Sequence, residues 1–129
     1  MIKPYRRADL AVGVPAARAQ VQGALVTLVP ARAGDPSQQW VRLTDYTTAK
    51  WVNRASGKCL DVAYRSPNNN APVIQWTCYT TDSQIWTNFG SFGWLHARHA
   101  RDPDKCLDIE AANATFALKP GVRLSLIHI

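Results

Sequence analysis

The sequence predicts an all-β fold of three related units, and three observations support this prediction. Its apolar runs are short, rich in Val, Ile and Trp, and separated by polar turns such as residues 66–70 and 80–82. The segments KCLDV, at residues 58–62, and KCLDI, at residues 105–109, lie 47 residues apart. Two Gln-x-Trp segments, at residues 38–40 and 84–86, lie 46 residues apart. A repeat of this length indicates units that share one core. A propeller needs at least about four blades, so a β-trefoil fits this chain better.

The second repeat, about residues 44–90, is the complete unit, and within residues 57–86 we predict three short strands and no helix. Period-two alternation predicts that Leu60 and Val62 face the core and that Asp61 faces outward. Trp76 follows on a neighbouring strand. A carboxylate accepts hydrogen bonds from adjacent hydroxyls, and a flat ring stacks on the apolar face of a pyranose. Asp61 and Trp76 therefore predict a sugar site, although a purely structural Trp76 is the alternative.

The order CLDV, VIQWTC and QIW along residues 59–86 resembles one repeat of the ricin B-type β-trefoil lectins, which also serve as carbohydrate-binding modules. The resemblance implies that Asp61, Trp76, Ser83 and Gln84 bind galactosyl or xylosyl glycans. Ser83 stands where the family pattern has Asn. For Gln84, hydrogen bonding within the core is an equal alternative.

The resemblance also implies a disulfide between Cys59 and Cys78, the alternative being two buried thiols. An oxidised pair fits an oxidising compartment. The family resemblance further implies a secreted protein in which this module accompanies a hydrolase or a toxin.

The other two repeats are less complete. We place the repeats at about residues 1–43, 44–90 and 91–129 of a single domain. In the first repeat Ala11 falls at the position of Asp61, so we expect no working site, and residues 1–20 are alternatively a linker or the tail of a preceding domain. In the third repeat Asp108 matches Asp61, but the offset from Asp61 to Trp76 leads to Arg123, and the offset between the two cysteines leads to Ser125. We therefore expect the third repeat to be truncated.

Four further tryptophans are expected in the core, because a strand Trp usually stabilises a fold by burying its large apolar area: Trp40, Trp51, Trp86 and Trp94.

Several function classes are disfavoured. The net charge of +6 is scattered along the chain and makes no contiguous stripe for nucleic acid, and no apolar run is long enough to span a membrane. His96 and His99 point to opposite faces of a strand, so we expect no metal site and no cofactor. Asp61 and Asp108 belong to different repeats, too far apart for glycoside hydrolysis. The sequence thus predicts a protein that is not an enzyme.

The last six residues, 124–129, resemble translated sequencing-adapter sequence, which predicts that the natural chain differs after about Val122 or Arg123. Two alternatives to sugar binding stay open. One is a structural or protein-binding trefoil, which Ser83 and the incomplete repeats favour. The other is a truncated product without a stable fold, because missing strands leave sheet edges unpaired.

Overall fold

The computed structural model of the chain describes residues 2–4, 9–45, 48–88, 95–101, 104–110, 115–120 and 127–128. Its regular structure there consists of strands and single-turn 3-10 helices, which confirms the all-β prediction. None of these helices has the length or the apolar character that crossing a membrane requires. The strands are β1 (Lys3–Pro4), β2 (Leu10–Gly13), β3 (Thr27–Pro30), β4 (Trp40–Asp45), β5 (Thr48–Asn53), β6 (Cys59–Val62), β7 (Val73–Trp76), β8 (Trp86–Asn88), β9 (Leu95–Arg101), β10 (Asp104–Glu110), β11 (Thr115–Pro120) and β12 (Ile127–His128).

The 3-10 helices span Ala16–Arg18, Pro36–Gln38, Ala63–Arg65 and Asp82–Gln84. The last two lie inside the segment 57–86, where the sequence predicted strands and polar turns; each is a single turn, and Tyr64 in the first has non-helical backbone angles. Both close with a bond between residues three apart: the Ser66 N–H donates to the Ala63 carbonyl and the Ile85 N–H to the Asp82 carbonyl, each at 3.1 Å. A polar segment of this length forms one turn of 3-10 helix without any hydrophobic periodicity, so the sequence pattern did not predict these turns.

All strand pairs are antiparallel. The larger sheet runs in the order β2-β3-β11-β10-β9-β8-β5-β6-β7, with β4 paired to β5, and β1 pairs with β12. Strands that are consecutive in sequence, such as β5 with β6 and β6 with β7, pair directly with each other. The fold is therefore built from antiparallel hairpins that curl around a common interior.

Backbone hydrogen bonds join the three parts of the chain where their hairpins meet. The Val26 N–H donates to the Val73 carbonyl at 3.0 Å, and the Phe116 N–H donates to the Val26 carbonyl at 2.9 Å. The Leu118 N–H donates to the Ala71 carbonyl at 3.0 Å. Each bond links residues from different predicted repeats, so the interior is shared.

The early residues belong to this interior. Ala11, Val12 and Val14 are buried, and the Val12 N–H donates to the Ile2 carbonyl at 2.8 Å. This packing contradicts the alternative in which residues 1–20 form a linker. The core cluster contains Ile2, Val12, Val14, Ala24, Val26, Trp40, Ala49, Trp51, Leu60, Val62, Ala71, Val73, Trp86, Ala97, Leu107, Phe116 and Leu118.

Trp40, Trp51 and Trp86 are buried as expected, whereas Trp94 lies outside the described residues. Two of these indoles donate a hydrogen bond to a strand that lies earlier in the same repeat. The Trp40 Nε1–H donates to the Val12 carbonyl at 2.9 Å, and the Trp86 Nε1–H donates to the Leu60 carbonyl at 3.1 Å. Each tryptophan therefore fills the core and also satisfies a buried carbonyl.

We expect Trp86→Phe to lower the free energy of unfolding by about 2 kcal/mol, because it leaves the Leu60 carbonyl unpaired and removes buried apolar area. Urea unfolding followed by far-ultraviolet circular dichroism measures the change. Trp76→Phe is the matched control, since Trp76 is exposed, and its effect should stay within about 0.5 kcal/mol. Equal effects of the two substitutions would contradict the structural role of Trp86.

Candidate functional site

The antiparallel pair β6 and β7 positions the two predicted ligand residues. Cys59 lies opposite Trp76, and Asp61 lies opposite Ile74. Opposite residues of an antiparallel pair share a face, so Asp61 and Trp76 are diagonal neighbours on the same face of the hairpin. Leu60 lies on the other face and is fully buried in the core.

The expectation that Asp61 faces solvent was wrong, because its exposed fraction is only 4%. The chain returns over this face of β6 in residues 77–84 and covers the carboxylate. The Cys59–Cys78 disulfide holds this covering segment to the strand and confirms the pairing that the family resemblance implied. Side-chain alternation correctly assigned the face of Asp61, but it carried no information about what lies on top of that face.

Three donors converge on the Asp61 carboxylate. The Val62 N–H donates to Oδ1 at 2.7 Å, the Ser83 hydroxyl donates to Oδ1 at 2.6 Å, and the Gln84 Nε2 donates to Oδ2 at 3.0 Å. Burying a carboxylate is unfavourable unless such bonds compensate for the water it loses. Ser83 and Gln84, both predicted to bind ligand, therefore hold the carboxylate in place.

Gln84 also fixes the covering segment. Its Nε2 donates to the Thr77 carbonyl at 2.9 Å, and its Oε1 accepts from the Tyr79 N–H at 3.1 Å. The side chain is fully buried, so it acts in the hydrogen bonding of the interior, as one of the two sequence interpretations proposed. Gln84 ends the 3-10 helix Asp82–Gln84, two residues before Trp86.

The indole of Trp76 lies in the open, with 39% of the residue exposed. Gly23 packs against the six-membered part of the ring: a β-carbon at Gly23 would lie 3.4 Å from Trp76 Cζ3. Gly23 has a positive φ of +81°, which glycine adopts without strain. The neighbouring Gln22 accepts from the Thr77 N–H at 3.1 Å and donates to its hydroxyl at 3.0 Å. The ring of Trp76 is thus supported from the first part of the chain.

Asp61 and Trp76 line the same cavity, whose volume is about 440 Å³. Its wall is formed by Gly23, Asp61, Val62, Ala63, Tyr64, Arg65, Ile74, Trp76 and Tyr79. Sequence reasoning missed the two tyrosines, although both lie within three residues of a predicted site residue or cysteine. Ser83 and Gln84 do not line the cavity; they lie behind Asp61 and support it.

The first part of the chain contains a related network without the strand carboxylate. The expected match of Ala11 to Asp61 was wrong. The Val12 carbonyl accepts from the Trp40 indole as the Leu60 carbonyl accepts from the Trp86 indole, so Gly13 lies at the position of Asp61. Gln38 donates to the Pro30 carbonyl at 2.8 Å and accepts from the Arg32 N–H at 2.8 Å, as Gln84 does with Thr77 and Tyr79. The carboxylate there is Asp35, from the adjacent loop.

Asp35 accepts from the Ser37 hydroxyl at 2.7 Å and from the Ser37 N–H at 2.9 Å. These bonds, the hydroxyl first and the backbone second, hold the pKa of the Asp35 carboxyl below its usual range, against the opposing effect of burial. Asp35 caps the 3-10 helix Pro36–Gln38. The Asp35 carboxylate is therefore bonded to Ser37, two residues later in the same segment.

In the third part of the chain, β10 and β11 repeat the pairing of β6 and β7. Asp108 lies opposite Ala117, and Cys106 lies opposite Lys119. By this register Lys119, and not Arg123, occupies the place of Trp76. The sequence offset led elsewhere because fewer residues separate Cys106 from Lys119 than separate Cys59 from Trp76. Arg123 and Ser125 lie outside the described residues.

Within the part of the chain that the structure describes, no group of three or more His, Cys, Asp or Glu residues could hold a metal ion. His99 instead bonds to the backbone, with its Nε2 at 2.7 Å from the Ser66 carbonyl, so this nitrogen carries the hydrogen. That bond anchors the end of the 3-10 helix Ala63–Arg65 near the cavity.

The hairpins with a shared interior define a β-trefoil protein whose cavity lies on one hairpin. A family model described as "Ricin-type beta-trefoil lectin domain-like" matches residues 9–76 and, in an overlapping alignment, residues 36–119. The chain belongs to this family. No curated protein sequence matches the chain significantly. The lectin character of the family suggests carbohydrate binding and a non-catalytic domain.

Solved structures share the fold. The designed three-fold symmetric protein ThreeFoil is similar, with a TM-score of 0.80 and 29% identity over 98% of this chain and 94% of that chain. The β-trefoil lectin of the Vibrio vulnificus hemolysin/cytolysin, solved with N-acetyl-D-lactosamine bound, has a TM-score of 0.73 and 16% identity over 98% of this chain and 89% of that one. A mosquitocidal holotoxin has a TM-score of 0.76 and 20% identity over 98% of this chain. This chain spans only 16% of the holotoxin.

We expect replacement of both Cys59 and Cys78 by Ala to lower the free energy of unfolding by about 3 kcal/mol, because the disulfide closes a loop of 19 residues in the unfolded chain. Urea unfolding of the double variant measures the loss. Treatment of the unsubstituted chain with a thiol reductant should reproduce it. A loss below about 1 kcal/mol in both experiments would contradict the prediction.

We expect Asp61→Ala to lower the free energy of unfolding by about 3 kcal/mol, because the Val62 N–H and the Ser83 hydroxyl lose the acceptor they are bonded to and Gln84 Nε2 loses one of its two acceptors. Thermal and urea unfolding measure the change. The matched control is Asp82→Ala: this exposed carboxylate lies in the neighbouring helix, 3.7 Å from Arg65 and 3.9 Å from Arg98. Its removal should change stability by less than about 1 kcal/mol, and a larger loss than for Asp61→Ala would contradict our account.

Proposed function

We propose that the chain binds galactosyl or xylosyl glycans without catalysis, through the cavity beside β6 and β7. The observation that carries this proposal is the presence of Asp61 and the exposed Trp76 in the wall of one cavity. A hydrogen-bond acceptor beside an apolar flat ring matches the two kinds of surface that a pyranose presents.

The hydrogen bonding of Asp61 supports this proposal. A carboxylate offers about four acceptor positions, and three are taken by Val62, Ser83 and Gln84. Two of these bonds go to Oδ1 and one goes to Oδ2, so the donors among the described residues leave an acceptor position on Oδ2 for a sugar hydroxyl. The three bonds also orient the carboxylate before any ligand arrives, which reduces the entropy that binding loses.

The cavity also favours binding over catalysis. Asp61 is the one carboxylate among the described residues that line it, whereas glycoside hydrolysis usually requires a pair of carboxyl groups flanking the bond. The remaining lining is mainly apolar or aromatic. We therefore assign the site to a lectin and not to a hydrolase.

We further propose that the chain acts in an extracellular protein, as an accessory module of a hydrolase or a toxin. The Cys59–Cys78 disulfide supports an oxidising compartment. The mosquitocidal holotoxin, of which a region of this size is a small part, supports a modular setting. One shallow site binds weakly, with a Kd on the order of 1 mM, so retention on a glycan surface needs several sites together.

An NMR titration tests the proposed site. Galactose, lactose and xylo-oligosaccharides are added to the oxidised chain while the indole N–H signals are followed. We expect saturable shifts of the Trp76 signal, while the buried Trp40 and Trp86 signals, which are bonded to carbonyls, stay nearly unchanged.

Two substitutions complete this test. Trp76→Ala, which lacks the reporting indole and is followed through the backbone amide signals of the cavity wall, should bind at least about tenfold more weakly because one stacked ring is lost. Leu43→Ala, on an exposed apolar residue that is not in the cavity wall, should leave the Kd within about twofold. A folded protein whose signals respond to none of these sugars would contradict the proposal and favour a protein-binding trefoil.

A further inference from the structure

The 3-10 helix Ala63–Arg65 at the rim of the cavity has an unusual backbone. Tyr64 has φ 55° and ψ 21°, and the next residue, Arg65, has φ 53°. Both are therefore in the left-handed region, which side chains other than Gly, Asn and Asp rarely adopt because the β-carbon approaches the carbonyl oxygen. Two such residues in succession, one of them aromatic, are maintained at a cost in free energy.

The surrounding structure holds this conformation. The Ala63 N–H donates to the Pro72 carbonyl at 2.9 Å, and the Ser66 N–H donates to the Ala63 carbonyl at 3.1 Å. The Ser66 carbonyl in turn accepts from the His99 ring at 2.7 Å. Bonds on both sides of the strained pair fix its direction, as expected where strain is retained at a functional site.

The strained residue gains no packing within the protein. The side chain of Tyr64 is fully exposed, so it buries no apolar area that would offset the strain. Tyr64 nevertheless forms part of the wall of the cavity that contains Asp61 and Trp76. A single exposed aromatic residue on a surface is ordinary, but an exposed aromatic on a fixed, strained turn beside a cavity is positioned for a ligand.

The other tyrosine of the wall is placed differently. Tyr79 is half exposed, and its backbone is fixed by Gln84 at the N–H and by Lys50 at the carbonyl, where Lys50 Nζ donates at 2.8 Å. It follows Cys78 in the segment that covers Asp61. Tyr79 is thus a half-buried part of the cavity wall, whereas the ring of Tyr64 is fully accessible to a ligand from solvent.

We propose that Tyr64 is a second aromatic platform, and that the site takes a neutral oligosaccharide of at least two sugar residues. This inference rests on the proposed carbohydrate binding at Asp61 and Trp76. The terminal sugar stacks on Trp76 and bonds to Asp61, and the next sugar stacks on Tyr64. Tyr64 then determines the preference for a linked sugar over a free monosaccharide.

Two pairs of probes test this inference by the Trp76 indole shift: galactose with lactose, and xylose with xylobiose. In the unsubstituted chain we expect at least one disaccharide to bind about fivefold more tightly than its monosaccharide, a gain of about 1 kcal/mol typical of one aromatic contact. Tyr64→Gly should abolish this ratio by weakening the binding of the disaccharide about fivefold. Tyr64→Phe, which keeps the ring, should retain the ratio.

Folding does not confound this test, because glycine adopts a positive φ without strain. Tyr64→Asn is a second variant without the ring, and Asn also tolerates this conformation. If both variants keep the ratio of the unsubstituted chain, or if that chain shows no ratio, Tyr64 is no platform although sugar binding stands. If the unsubstituted chain binds none of the four sugars, the proposed function itself fails, and the inference falls with it.

Discussion

The buried carboxylate of Asp61 is the interaction on which the rest of the site depends. It accepts bonds from its own strand, through Val62, and from the covering segment, through Ser83 and Gln84. Because an unpaired buried charge is strongly unfavourable, the carboxylate holds the covering segment in position as much as the segment holds the carboxylate. The cavity wall is therefore formed by the same contacts that stabilise the hairpin.

Much of the fold could be predicted from the sequence, because it depends on local patterns. Alternation in β6 assigned Leu60 to the core, and the type and position of Trp40 and Trp86 were enough to predict their burial. The site was harder to predict, since the environment of Asp61 depends on residues more than twenty positions later in the chain. The positive φ of Tyr64 could not be predicted from the sequence either, because tyrosine rarely adopts this backbone conformation.

Comparison of the two glutamines that precede buried tryptophans distinguishes a structural role from a role in ligand binding. Gln38 and Gln84 make corresponding bonds to a carbonyl and an N–H of the loop before them. Gln38 does so although Gly13, at the position of Asp61, carries no carboxylate. The glutamine thus serves the loop in both places, and a carboxylate on the strand is what adds a polar contact to a cavity. A Gln-x-Trp segment by itself indicates architecture and not ligand binding.

The backbone bonds among Val26, Val73 and Phe116 have a consequence for how the chain folds. They join residues that are far apart in sequence. The backbone groups of each part are therefore fully bonded only after the other two parts have packed against it. Chains dominated by such distant contacts fold slowly, in milliseconds to seconds, because loop closure precedes the gain in contacts. The wall of the cavity beside β6 and β7 includes Gly23 from the first part of the chain, so it is complete only when that part has joined the hairpin.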